Sequence, residues 1–253
     1  MLQTKKLILV VNDDGYLAQG IEVLAQAMKP LGDVIVVAPD DARSGSSCSI
    51  SSTLPIHLRT ISEEPGLKII ACSGTPADCV KLALEYACPR QPDMVVSGIN
   101  HGDNASVSLH YSGTMGAALE ACMKGLPAIG FSLRTHSQHC NFQPYLETVV
   151  RISKQVLEHG LPQDVCLNVN FPEVETLQGS RVCRMARGRW VAEWQPAQHP
   201  HGADFYWLAG QFSNLEPEAE DTDMWALDHG YASIVPIRLD MTSYETLSTL
   251  NFS

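Results

Sequence analysis

The chain lacks paired cysteines, an excess of positive charge and any long apolar run, and each absence removes a class of function. Eight cysteines are present, but none stands in a Cys-x-x-Cys spacing, so neither a sulfur-ligated zinc site nor a thioredoxin-like motif is written in the sequence. Most lie in apolar runs such as Ile70-Ala71-Cys72 and Val165-Cys166-Leu167, where a free thiol behaves as a small hydrophobe. Seventeen Lys and Arg against 28 Asp and Glu give a net charge of −11. That balance excludes a general binder of nucleic-acid polymers or anionic membranes, both of which need a basic surface. It leaves open a small phosphorylated substrate, because a bound metal can supply local positive charge. No apolar stretch approaches the roughly 20 residues of a membrane helix. The start, Met1-Leu2-Gln3-Thr4-Lys5-Lys6, leads into an apolar segment too short for a signal-peptide core and has no small-residue cleavage site. The expected compartment is the reducing cytoplasm. Internal repeats and clear linkers are also missing, so the 253 residues read as a single catalytic domain: an α/β core over about 1–180 and a β-hairpin-rich extension over about 181–253.

What is present begins with Leu7-Ile8-Leu9-Val10-Val11, an unbroken apolar run of the kind found in a central parallel strand buried on both faces. Ile21, Leu24, Ala25 and Met28 then recur at helical spacing until Pro30 and Gly32, and Asp33 to Ala38 forms a second buried strand. This strand–helix–strand unit predicts parallel pairing with a right-handed crossover. Short β-like pieces fill 54–72, and Thr75-Pro76 reads as an N-cap followed by proline at the first helical position. Further strands are expected at 93–100, 126–133 and 165–169, with helices from Ser112 and from Phe142 to His159. The fold class is therefore α/β: a Rossmann-like three-layer core with a mostly parallel sheet. Beyond about 180 helical periodicity disappears, and Trp190, Trp194, Tyr206, Trp207 and Trp225 stand among Gly, Pro and acidic residues, which reads as β-hairpins and long loops. A last strand is expected over Ser233–Leu239 and a short helix over Ser243–Leu250.

Three polar points fall at the carboxyl ends of expected parallel strands, where open α/β sheets bind ligands: Asp13-Asp14, Ser44 and Asn100. All offer oxygen, none sulfur or imidazole. Such a set suits a hard cation such as Mg²⁺, Mn²⁺ or Ca²⁺. An ordinary Asp-rich turn closed by Gly15 is the alternative for the acid pair. Ser112-Gly113-Thr114 opens a helix, where unpaired N–H groups and the helix dipole favour a phosphate, although Ser112 taken alone reads first as a plain N-cap. Metal and phosphate cradle on one sheet edge imply phosphoryl chemistry with a metal-activated water.

Asn12-Asp13-Asp14-Gly15, Arg43-Ser44-Gly45, Gly74-Thr75-Pro76-Ala77-Asp78-Cys79, Ser97-Gly98-Ile99-Asn100 with Gly102 and Asn104, and Tyr111-Ser112-Gly113-Thr114 resemble the survival protein SurE family, in order along nearly the whole chain. So do Tyr206-Trp207 with Gly210, and Thr222-Asp223 followed by Gly230-Tyr231 and Pro236. The resemblance implies a divalent-metal-dependent phosphatase that hydrolyses nucleoside monophosphates, of 5'-nucleotidase type. It implies one divalent cation per subunit (Mg, Mn or Ca) on Asp13, Asp14, Ser44 and Asn100, with Asp13 and Asp14 also the catalytic pair. Ser112, Gly113 and Thr114, with Asn12 and Asn104, are implied on the phosphate and substrate side. Family members are homodimers or homotetramers that exchange C-terminal segments. The chain departs from the family pattern at Ala105-Ser106-Val107-Ser108 and at His199-Pro200-His201-Gly202, both away from the implied ligands.

Other readings compete. His136, His139, His199 and His201 could take a soft metal but read first as loop histidines, and Glu216 to Asp223 reads as a solvated acidic loop. His101 and His110 flank the site loop and could reach a leaving group or the phosphate. A phospho-receiver-like signalling module also carries an acidic pair after its first strand, but it needs an Asp where this chain has Asn100. A non-catalytic nucleotide-binding protein is the remaining alternative. The two acids are adjacent rather than separated by one residue, which favours water over a carboxylate as nucleophile.

Overall fold

The computed structural model describes residues 5–252 except 136, 138, 139, 199, 200 and 203. In chain order the strands are β1 Leu7–Val11, β2 Asp33–Pro39, β3 Leu58–Glu64, β4 Leu67–Cys72, β5 Met94–His101, β6 Ala128–Arg134, β7 Val165–Pro172, β8 Ser180–Val182, β9 Gly188–Val191, β10 Trp194–Gln198, β11 Asp204–Leu208, β12 Gln211–Asn214 and β13 Ala232–Arg238. The α-helices are α1 Gln19–Met28, α2 Pro76–Leu82, α3 Gly113–Met123, α4 Leu146–His159, α5 Asp223–Asp228 and α6 Tyr244–Leu247.

The main sheet runs β3-β4-β2-β1-β5-β6-β7-β13-β8. It is parallel from β4 through β7; β3 and β13 join antiparallel, and β8 lies parallel on the outer edge of β13. The chain winds outward from β1 through β2 to β4, then returns to β5 and winds the other way. That reversal opens a crevice at the carboxyl ends of β1 and β5, where doubly wound sheets bind their ligands.

Alternation along β1 feeds two cores. Ile8 and Val10 pack with Ile21, Leu24 and Met28 of α1 and with Val149, Ile152 and Val156 of α4. Leu7, Leu9 and Val11 pack with Cys79 and Val80 of α2 and with Ala117, Ala118 and Ala121 of α3. Every β1 side chain is buried, each contributing about 1.5–3 kcal/mol of apolar transfer. The result is the three-layer sandwich expected of an unbroken apolar strand.

Thr75 caps α2 as a full capping box with Asp78, and Ser112 caps α3. The 142–159 segment begins as a 3₁₀ turn at Gln143–Tyr145 before α4 proper. Past residue 180 two small antiparallel ribbons form, β10–β11 and β9–β12. One feature differs from the sequence reading. The acidic run does not end in a solvated loop: Asp223 is fully buried and opens α5. Within the extension, β8 and β13 join the edge of the main sheet. No helix among the described residues is long and apolar enough to cross a membrane.

Candidate metal and phosphate site

β1 ends in a turn built by its own asparagine. Asn12 Nδ2 donates to the Gly15 carbonyl at 2.9 Å, and Gly15 N–H donates back to Asn12 Oδ1 at 3.2 Å. Both ends of this buried amide are engaged in the turn, so Asn12 braces the acid pair. The turn then presents Asp13 and Asp14 at the crevice.

Asp13 is buried, and Thr114 Oγ1 donates to its Oδ1 at 2.5 Å. This bond joins the end of β1 to the first turn of α3 across 101 residues of sequence. Burial pushes the Asp13 carboxyl from an ordinary 3.8 up to about 6; the Thr114 hydroxyl pulls it back and the neighbouring Asp14 charge raises it again. Asp14 is raised by burial too, while the His101 N–H, donating to its Oδ2 at 3.3 Å, lowers it. No Lys, Arg or His among the described residues pairs with either acid. Two adjacent, partly desolvated carboxylates without a counter-charge have the chemistry that suits a cation.

Asn100 stands at the end of β5, where the ladder to β6 is interrupted between Ser97 and Asn100. Such irregularities re-aim side chains next to functional sites. Its Nδ2 donates to the Gly102 carbonyl at 2.8 Å, which leaves Oδ1, the hard donor, over. Ser44 is exposed on the loop after β2; that loop is fastened to the acid turn by Arg43 N–H donating to the Asp13 carbonyl at 2.7 Å. These donors fit a hard divalent cation: two carboxylates, an amide oxygen and a hydroxyl.

The α3 N-terminus adjoins the same turn. Ser112 Oγ accepts from Met115 N–H at 3.0 Å, and Gly116 N–H bonds the Ser112 carbonyl at 3.0 Å. The first two N–H groups, of Gly113 and Thr114, are the ones the cap does not use. A Cβ at Gly113 would lie 2.6 Å from Ser46 Oγ and 2.8 Å from Asp13 Cβ, so any side chain there would fill the space beside the acid. Ser46 Oγ is buried with no hydrogen-bond partner in the structure. The Thr114 N–H faces the Asp13 carboxylate, so an orphaned hydroxyl beside the Gly113 N–H is what fits an oxyanion ligand.

Asp13, Asp14, Thr114 and Gly113 are thus brought together directly, with Asn100 at the neighbouring strand end, while Asn104 and Ser44 lie on the flanking loops. Sequence reasoning missed Ser46, whose only signal was its place in a serine-rich loop. Asp223 was missed as well. Its carboxylate accepts N–H bonds from Ser106 and Ala186, both at 2.8 Å, and from Met224. It therefore pins the loop after Asn104 to the extension. Burial raises the Asp223 carboxyl and these N–H groups offset it. His101 Nδ1 lies 3.3 Å from Cys140 Sγ, and His101 lines a cavity of about 290 Å³ with Asp14, Gln19, Ile99, Cys140 and Phe142. His110 is exposed and contributes its carbonyl to Ser47 Oγ. His136, His139 and His199 lie outside the described residues.

The model of the family described as survival protein SurE matches residues 8–192. A relative named 5'-nucleotidase SurE from Phocaeicola vulgatus is 49% identical over 250 residues, covering 99% of this chain and 97% of its own. A protein of the same name from Bacteroides fragilis is 47% identical over 250 residues, with 99% and 98% coverage. Among solved structures, the crystal structure of the SurE protein from Aquifex aeolicus superposes with a TM-score of 0.81 at 37% identity, covering 96% of this chain and 98% of that one.

Proposed function

The chain belongs to the survival protein SurE family, and from that premise we propose that it is a phosphoric monoester hydrolase of 5'-nucleotidase type, acting on nucleoside monophosphates with one divalent cation per subunit. The observation that carries this reading is the unpaired acid couple Asp13-Asp14 tied by Thr114 to the open N-terminus of α3. Asp13, Asp14 and the Oδ1 of Asn100 would hold the cation, with Ser44 completing the protein's share. A cation there would polarise a phosphoryl oxygen and acidify water. The chain's own residues do the rest. Thr114 keeps the Asp13 carboxylate oriented through its hydroxyl and its backbone N–H, and the Gly113 N–H, with Ser46 Oγ, would neutralise equatorial oxygens as their charge grows. Ser112 fixes the direction of that helix end. Asn104 would meet the substrate from the adjacent loop. The cavity beside Asp14 gives the nucleoside room.

Two further properties belong to the same reading. Self-association into a homodimer or homotetramer with exchanged C-terminal segments is supported by the apolar rings exposed on β10–β11. A cytoplasmic location agrees with eight free cysteines.

The test is a phosphate-release panel over nucleoside 5'- and 3'-monophosphates, with chelator and with Mg²⁺, Mn²⁺ or Ca²⁺. Turnover that requires one of the cations is the expected result. Tight nucleotide binding with zero turnover under every cation would instead identify a non-catalytic nucleotide-binding protein.

A further inference from the structure

Asn104 sits in a closed ring of hydrogen bonds. Its backbone N–H donates to Asn170 Oδ1 at 2.7 Å, Asn170 Nδ2 donates to Asn168 Oδ1 at 3.0 Å, and Asn168 Nδ2 donates to the Asn104 carbonyl at 2.8 Å. The ring starts and ends on one residue's peptide groups and runs in a single sense. Turning either amide over sets oxygen against oxygen or N–H against N–H, so both orientations are forced. A fourth bond, from Asn104 Nδ2 to Ser132 Oγ at 2.8 Å, holds the side chain. Ser132, Asn168 and Asn170 are fully buried. They stand on adjacent strands: Ser132 of β6 pairs directly with Asn170 of β7.

Burying two amides and a hydroxyl inside a sheet face is costly unless each is satisfied, and apolar side chains would pack there without that requirement. Here the polar groups converge on one loop residue. They occupy the N–H, the carbonyl and one Nδ2 proton of Asn104. Among the described residues, its Oδ1 and its second Nδ2 proton are left over. An amide whose backbone and side chain are both anchored to a rigid sheet presents those two groups in one direction only.

We propose that Asn168, Asn170 and Ser132 are positioning residues for phosphomonoester hydrolysis, acting through Asn104 to fix the orientation in which its amide meets the substrate. The proposal rests on the reading of Asn104 as a substrate-contacting residue. Asn170→Asp is the sharpest probe. It keeps the acceptor for the Asn104 N–H but places a second carboxylate oxygen against Asn168 Oδ1. If Asn168 turns over to relieve this, its oxygen faces the Asn104 carbonyl.

The experiment uses the full chain loaded with Mn²⁺. In Asn170→Asp, kcat/KM for a nucleoside monophosphate should fall at least tenfold, with Mn²⁺ affinity by electron paramagnetic resonance within twofold of the parent. In an Asn104→Ala background the same change should cost less than twofold more, because the side-chain amide that the ring orients is gone although its peptide groups remain. Ser132→Ala, which removes one bond and is the milder change, should cost about three- to tenfold and carries the test if Asn170→Asp does not fold. Losses that simply multiply in the double variant, or turnover within twofold in both single variants, would overturn the proposal. Amide hydrogen exchange at Asn104, followed by NMR, reads the ring without any turnover. It should accelerate at least tenfold in Asn170→Ala, which removes the acceptor of that N–H, and unchanged exchange also overturns the proposal. A parent that fails to hydrolyse any nucleotide while Asn104 exchange responds as expected would refute the hydrolase reading and leave the ring standing as structure alone.

Discussion

In β1 every side chain from Leu7 to Val11 is buried, whereas in the β10–β11 ribbon Trp194 is 65% exposed, Tyr206 62%, Trp207 62% and Leu208 69%. Both segments are rich in apolar side chains. The first meets two helical layers of its own chain; the second meets solvent on one side of a two-stranded ribbon, which is marginal alone in water. An exposed apolar cluster of this size marks a surface that works against another molecule. On the proposed reading the chemistry lies in the region that folds on itself, and the surface assigned to subunit contacts lies in the other. Asp223 is the bond between the two regions, since it holds Ser106 of the site loop and Ala186 of the extension at once.

The largest effect should come from the self-contained region. Asp14→Asn removes a ligand charge, and kcat should fall about a thousandfold, roughly 4 kcal/mol of barrier, with the circular dichroism spectrum unchanged; near-parental turnover would show that the acid pair is not the centre. The bond between regions comes next. Asp223→Ala leaves two buried N–H groups without their acceptor, which should lower stability by about 3 kcal/mol and reduce activity with it, measured by urea unfolding alongside phosphate release. A chain that loses neither would mean the extension is not needed to hold the loop.

A pH effect of similar but smaller size should appear in the metal-free chain. Asp13 has its carboxyl raised from 3.8 to about 6 in the fold. The folded state therefore holds that proton more tightly than the unfolded chain does. Stability is unpenalised below about pH 4 and declines as the pH rises through 6, by roughly 2–3 kcal/mol from this group. Divalent cation should remove the decline, and Asp13→Asn should flatten the melting-temperature profile while abolishing turnover. A metal-free melting temperature that rises from pH 5 to 7 because of Asp13 would contradict its burial. The smallest effect on folding should come from the ribbon: Trp207→Ser should change unfolding free energy by less than about 1 kcal/mol yet shift the sedimentation coefficient toward monomer. An unchanged coefficient would place the subunit contact elsewhere.

The legible parts of the molecule were the ones set by neighbours in sequence. An unbroken apolar run announced β1, and Thr75-Pro76 with Asp78 announced the start of α2, because a cap is made within four residues. The acid pair at the end of β1 and the Ser112 cap of α3 were legible as positions for the same reason. Asn168 and Asn170 were not. In Leu167-Asn168-Val169-Asn170 they look like the solvent side of an alternating strand, and only the loop folded over β7, bonded to them across 64 and 66 residues, makes that side an interior. Asp223 misled for a related reason: it follows the exposed acids Glu218, Glu220 and Asp221, and its partners Ala186 and Ser106 lie 37 and 117 residues away.

That last separation bears on how the protein is made. The chain emerges from the ribosome at about 5–20 residues per second, so roughly 6–23 seconds pass between synthesis of Ser106 and synthesis of the carboxylate that accepts its N–H. Over that interval β1, β2, β4 and β5 can already assemble and offer the acid pair, while the loop beside it has no latch. The nascent polypeptide thus carries Asp13 and Asp14 long before the carboxylate that anchors the loop beside them, which comes with α5 just ahead of β13. Truncation between Thr114 and Asp223 would leave a product that carries Asp13, Asp14, Ser44 and Asn100 but lacks the carboxylate that accepts the Ser106 N–H.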